Sequence, residues 1–275
     1  MMDHQTWITN YFKSSDLIIT PLQKGLTNFN VLVTVFGERY VVRFPKADSA
    51  HVVNRAHEAK ALALIASTDL DVETVYFDER TGIKITRYVD DLVTFDAYFQ
   101  PDRIERTAAL MRRLHALSSP IGDPFDPIAR YHQFRQRVTL PLIPDTQAQR
   151  VLENLAGLAP KLTLCHNDWV PGNIGFSPTH DYLLDYEYAG DNDPFFDVMS
   201  FITENDITLE ERQRFLIAYF GRTPTADESR ILGLYEAFHN LLWCTWALMM
   251  WESRHEAIYQ QIANAKHVAF LTTKK

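Results

Sequence analysis

Between Leu17 and Phe44 apolar and polar residues alternate, in LIITPLQKGLTNFNVLVTVFGERYVVRF, and two turn signals interrupt the pattern, one at Gly25 to Asn30 and one at Gly37. Such alternation puts every second side chain on one face of a pleated strand, so the stretch predicts strands joined by turns. The period then lengthens. VVNRAHEAKALALIAS carries its apolar residues at helical intervals, with Ser49 upstream as a candidate N-cap. VETVYFDE and GIKITRYV, separated by Arg80-Thr81-Gly82, predict two further strands. Three strands, a helix and two strands suit a small antiparallel sheet carrying one helix.

After DDLVTF the character changes. DRIERTAALMRRLHAL is an amphipathic helix, and proline-rich linkers at Pro120 to Pro127 and Pro141 to Pro144 separate it from further helices. LTLCH and YLLDY are short apolar segments that predict strands around a loop, and from Pro194 onward nearly everything reads as helix. A boundary near residue 92 follows, with a strand-rich lobe over 1–92 and a larger, mainly helical lobe over 93–275. The expected class is α+β.

Composition narrows the function. With 275 residues, 46% of them hydrophobic, the chain can bury a large core. Its net charge of −8, from 27 basic and 35 acidic residues without a Lys/Arg run, argues against a nucleic-acid or anionic-membrane surface. Cys165 and Cys244 lie far apart with no CxxC, which argues against a disulfide framework or a zinc site and fits a reducing, cytoplasmic setting. MMDHQTWITNYF lacks the basic and apolar regions of a signal peptide. The apolar run Leu241 to Trp251 is far short of the roughly 20 residues a spanning helix needs, and reads as a buried helix. No membrane partner is expected, and no pattern specifies an oligomer.

The candidate chemistry centres on LCHNDWVPGNIGF. His166-x-Asp168, with Asn173 five residues later, has the spacing of a phosphotransfer loop: the Asp accepts a substrate hydroxyl proton and the Asn reaches a magnesium ion. The plain alternative is a pair of turn residues beside Pro171 and Gly172. LLDYEYAGDNDPFFD follows, with Asp185 ending an apolar strand 12 positions after Asn173, where a second metal carboxylate belongs. Glu187, two residues on, faces the same side of an extended segment, as a metal-side or a substrate-facing carboxylate. Upstream, KGLTNFN offers Gly25, Thr27 and Asn28 in a loop whose N–H groups could cover phosphates, or in an ordinary hairpin. Arg43 on its strand and Glu58 on the helix form the cation–carboxylate arrangement that grips nucleotide phosphates, with Lys46 as a substitute cation and an Arg55–Glu58 surface pair as the alternative.

Together GLTNFN, YVVRFP, HNDWVPGN, LLDYEYAGDNDPFFDV and LWCTW resemble the choline/ethanolamine kinase branch of the aminoglycoside-phosphotransferase-like kinases, and they span most of the chain. The resemblance implies a bilobal protein-kinase-like fold, ATP with Mg²⁺, and transfer of the γ-phosphoryl group to a small cationic alcohol. It implies Asp168 as base, Asn173 and Asp185 as metal ligands, and Arg43 in the branch's arginine position with Glu58 as partner. ITRYVDD resembles the hinge, so Thr86, Tyr88 and Val89 would face adenine. Trp243 and Trp246, three apart on a helix, match the pair lining the choline site, where aromatic faces attract a quaternary ammonium. One departure stands out: Met250 occupies a position where the family often has Gln. Choline is the expected substrate, with thiamine or ethanolamine next and an aminoglycoside after them; the intact base and metal positions argue against a silent ligand-binding relative. His115 is expected to stabilise a helix end, His166 to organise the catalytic loop, and Asp197 to brace that loop or cap a helix. Asp191 and Asp193 are either mouth carboxylates or turn residues.

Overall fold

The computed structural model describes residues 3–22, 28–46, 53–118 and 120–273. The expected strands form: β1 (Ile18–Pro21), β2 (Asn28–Val35), β3 (Glu38–Pro45), β4 (Thr74–Phe77) and β5 (Lys84–Arg87). They pair antiparallel in the order β1-β2-β3-β5-β4, so β5 inserts beside β3. Phe36 and Gly37 both have positive φ, 54° and 78°, the backbone a two-residue hairpin needs to match strand twist, and Val35 pairs with Glu38 across it. The alternation is realised as burial. Val31, Val33, Val35, Val42, Phe44, Ile83 and Ile85 share one core with Ile8. Ile8 belongs to α1 (His4–Phe12), a helix the sequence pattern did not announce, whose Trp7 and Tyr11 pack on the same core. α2 (Arg55–Ile65) buries Glu58, Ala61, Leu62 and Ile65, at the spacing of one helical face. Its N-cap is Asn54, which accepts from the N–H groups of Ala56 and His57; Ser49 lies outside the described residues.

The chain divides into two compact units, 1–99 with 172–189, and 100–171 with 190–275. The first therefore holds a late segment that a single cut near residue 92 does not include. That segment supplies β8 (Ile174–Phe176) and β9 (Asp181–Leu183), which join β6 (Val93–Thr94) in a sheet of order β6-β8-β9. In the second unit β7 (Thr163–Cys165) pairs with β10 (Gly190–Asn192), and the rest is helical. The helices are α3 (Arg103–Ala116), α4 (Pro127–Arg135), α5 (Asp145–Ala156), α6 (Pro194–Glu204), α7 (Leu209–Phe220), α8 (Ala226–Arg254) and α9 (Ala257–Thr272). Pro127 and Pro194 open α4 and α6, where a missing N–H costs nothing. α8 packs against α4, α5, α6 and α9, and its residues Phe238 to Ala247 are all buried. No described helix is long and apolar enough to cross a membrane.

Candidate active site

Arg43 alternates with Val42 and Phe44 along β3, so its side chain leaves the face packed by α1. Its guanidinium is buried against Glu58 of α2, with Nη1 at 2.7 Å from Oε1 and Nη2 at 2.9 Å from Oε2. Nη2 also donates to the Gly82 carbonyl at 3.1 Å, and Nη1 to Asp185 Oδ1 at 2.5 Å. Burial opposes the charge, but Glu58 and Asp185 override it and push the Arg43 pKa upward. Arg55, the rival partner for Glu58, instead donates to the Arg80 carbonyl at 2.7 Å.

Asp185 follows β9 with a φ of +64°, a left-handed conformation that Asp tolerates better than most residues. The chain then enters a 3₁₀ turn, Tyr186–Tyr188, and not the extended segment expected from the sequence. Asp185 and Glu187 nevertheless converge, because Asn28 Nδ2 donates to both, at 3.3 Å to Asp185 Oδ2 and 2.8 Å to Glu187 Oε2. Asn28 thus joins the carboxylates as the first residue of β2; Gly25 and Thr27 lie outside the described residues. Asn173 is brought alongside by its carbonyl, which accepts from Leu184 N at 2.7 Å, one residue before Asp185. Among the described residues, Glu58, Asp185 and Glu187 gather three carboxylates about Arg43 and Asn28. Asp185 is 27% exposed and Glu58 2%, so the reachable oxygens are those of Asp185. Hard carboxylate oxygens fit Mg²⁺, and Asp185 with Asn173 could hold it, with the buried Glu187 beside them.

In the segment expected to be the hinge, Thr86 pairs with Val41 on one side and Thr74 on the other, and Tyr88 N donates to the Arg39 carbonyl at 3.0 Å. Thr86 therefore lies within the sheet, and the Tyr88 N–H is engaged with Arg39. Val89 follows the last of these bonds.

In the second unit, β7 delivers His166, Asn167 and Asp168. The buried Asp197 of α6 accepts from His166 N at 2.8 Å and Asn167 N at 2.7 Å. Burial would raise its pKa, but the hydrogen bond and charge of His115 outweigh that and hold it low. His115 Nε2 lies 3.1 Å from Asp197, with Nδ1 at 2.8 Å from the Tyr219 hydroxyl. His115 therefore ties α3 to α6 and α7 through its side chain. Asn167 takes a left-handed φ of +65°, and its Oδ1 accepts from Asn192 Nδ2 at 2.8 Å. On the far side, Trp169 N donates to Ser200 Oγ at 3.0 Å and its carbonyl accepts from Asn205 at 2.6 Å. Asp168 is half-buried between two pinned neighbours. Asp191 and Asp193 are structural: Asp191 accepts from the N–H groups of Ile121, Gly122 and Asp123 at 2.7, 2.8 and 3.1 Å. Asp193 caps α6 through Phe195 N and accepts from Tyr235 Oη at 2.8 Å.

On α8 the rings of Trp243 and Trp246 meet edge-to-face, 5.9 Å apart at 86°, each still 7–8% exposed. Tyr259 of α9 adds a third ring, 5.7 Å from Trp246. Trp243 Nε1 donates to His239 Nδ1 at 3.2 Å, and His239 Nε2 donates to the Phe196 carbonyl at 2.9 Å. Burial pulls the His239 pKa down to about 3 and leaves the ring neutral. Sequence reasoning missed Tyr259, His239, Asn192 and Tyr235. Only His239 carried a local signal, four residues before Trp243 on one helical face.

The phosphotransferase enzyme family matches residues 18–232. Protein LicA of Haemophilus influenzae is similar to the chain, 27% identical over 241 residues, which are 81% of this chain and 70% of the relative. Among solved structures, choline kinase LicA from Streptococcus pneumoniae aligns with a TM-score of 0.78 and 24% identity, over 97% of this chain and all of its own. A choline/ethanolamine kinase family protein from Mesorhizobium loti aligns with a TM-score of 0.77 and 24% identity, over 93% of this chain and 87% of its own. The expected protein-kinase-like fold is thus present.

Proposed function

The chain belongs to the phosphotransferase enzyme family, and from that premise we propose that it is a choline kinase, transferring the γ-phosphoryl group of ATP to the hydroxyl of choline. The observation that carries the substrate reading is the edge-to-face pair Trp243 and Trp246, flanked by buried Met249 and Met250. Trimethylammonium has no N–H to satisfy and needs only apolar and π surfaces, whereas a primary ammonium must find three acceptors. The likeness to the two LicA proteins, one of them called a choline kinase, favours the same reading.

Asp168 orients the choline hydroxyl and accepts its proton as the oxygen attacks the γ-phosphorus and ADP departs. Asn173 and Asp185, with Glu187 beside them, hold Mg²⁺. When bound, that ion neutralises phosphate charge. Arg43, anchored by Glu58, presents its guanidinium to the phosphates, Asn28 keeps Asp185 and Glu187 together, and the backbone near Val89 faces adenine. Residues 1–92, with the returning segment 172–189, thus serve the nucleotide, and the rest of 93–275 serves the acceptor alcohol. A cytoplasmic setting supplies ATP and keeps the buried Cys165 and Cys244 reduced.

The test is a mass-spectrometric kinase assay offering choline, ethanolamine, thiamine and an aminoglycoside in parallel. Phosphocholine is the expected product. Preferred phosphorylation of another acceptor, or ATP consumption with no phosphorylated alcohol, would refute the assignment.

A further inference from the structure

The first turn of α6 holds two chains of hydrogen bonds that lead in different directions. Asp197 pins the backbone on the N-terminal side of Asp168. One residue earlier, the Phe196 carbonyl accepts from His239 Nε2, and His239 Nδ1 accepts from Trp243. The direction of every link is fixed by chemistry. An indole nitrogen only donates and a carbonyl only accepts, so the residue between them must accept at one end and donate at the other. Neutral imidazole with its proton on Nε2 meets that demand; imidazolium would set an N–H against the indole N–H. His239 is fully buried, and its ring packs on the Phe196 ring with centroids 4.1 Å apart.

We propose that His239 is a positioning residue that fixes the orientation of the Trp243 indole and registers the aromatic pair against the Asp168 loop through α6. The inference rests on the reading of Trp243 as part of the choline site. Removing the acceptor takes away the hydrogen bond that sets the tilt of the indole, and a tilted face no longer meets the cation at the short distance this attraction needs. Trp246 shares the consequence through its edge-to-face contact with Trp243. Since α6 also anchors the base loop, loss of His239 alters where the hydroxyl sits as well as how tightly the ammonium is held, so kcat and KM both respond.

The variants are His239→Leu, which removes both polar ends, and His239→Gln, which can accept and donate. Each is made in the full chain, and kcat and KM are measured for choline, ethanolamine and ATP. Expected for His239→Leu is a loss of roughly 10²-fold in choline kcat/KM, the scale of a misplacement of about 1 Å. The choline-over-ethanolamine preference should shrink, ATP KM should stay unchanged, and His239→Gln should recover most of the loss. Unaltered choline kinetics in His239→Leu, or an equal rise in ATP KM, would overturn the proposal. A readout on the wild-type protein does not depend on either variant folding: ¹⁵N NMR of the imidazole, with the Trp243 indole resonance assigned through Trp243→Phe. The expected result at pH 7 is the neutral Nε2–H tautomer and an indole resonance that shifts on adding choline. An imidazolium or Nδ1–H tautomer overturns the proposal. If choline neither turns over nor shifts that resonance, the substrate reading has failed and this inference with it. If wild type turns choline over and His239→Leu loses nothing, only the inference falls.

Discussion

Asp168 and Asp185 are both carboxylates beside a left-handed backbone step, yet replacing them should have different consequences. Asp168→Asn keeps the shape of a side chain whose neighbours are pinned by Asp197 and Ser200. It should lower kcat by roughly 10²–10⁴ while nucleotide binding persists, as isothermal titration and steady-state kinetics can check. Asp185→Asn tolerates the φ of +64° that Ala would not, and Arg43 keeps Glu58. Titration calorimetry should then show ATP binding that no longer strengthens with Mg²⁺; unchanged magnesium dependence would sink the metal assignment. Trp246→Ala should raise choline KM by roughly 30-fold, since a desolvated cation–π contact is worth about 2 kcal/mol and a decade about 1.4 kcal/mol. The spacing of Asp168, Asn173 and Asp185 was legible because local turns set it. The role of Asn28 was not, since its partner Asp185 lies 157 residues away. Nor was that of Asp191, whose N–H donors come from a segment about 70 residues earlier.

Among the elements, α6 and α8 are joined by two buried polar tethers, Tyr235 to Asp193 and His239 to the Phe196 carbonyl. The second makes the pair sensitive to acid. Burial, and then the nearby Lys266 of α9, lower the His239 pKa from 6.5 to about 3, against opposing pulls from the Phe196 carbonyl and Asp197. Below pH 6.5 the unfolded chain takes up a proton that the folded chain refuses. Stability is therefore full above that pH and declines as pH falls toward 3, by up to about 1.4 kcal/mol per pH unit. Between pH 7 and 5 the melting temperature of wild type should fall more than that of His239→Gln; parallel curves would contradict it. The strands of the five-stranded sheet and the long helices were readable from period, whereas β8 and β10, three residues each, were not. α1 was not, because its nine residues owe their place to the sheet core they cover. β6 is two residues long and gains its identity only from Phe176 and Gly175.

For the whole molecule the α+β class was visible in the change of period, whereas the return of residues 172–189 to the first unit was not, since nothing local marks it. That return has a consequence for how the protein is born. Val93 and Thr94 wait for Phe176 and Gly175, and Arg43 waits for Asp185. A ribosome adds about 5–20 residues per second, so the first unit stays unfinished for roughly 5–20 seconds after Phe99 is made. In that interval the apolar side of β6 and the Arg43–Glu58 pair lack their last partners, which is a window for a chaperone. Hydrogen exchange on ribosome-stalled chains should find the segment around Val93 to Phe95 unprotected when synthesis halts near residue 130 and protected when it passes 200. Protection already at the shorter length would mean that the nascent unit closes without its final strands.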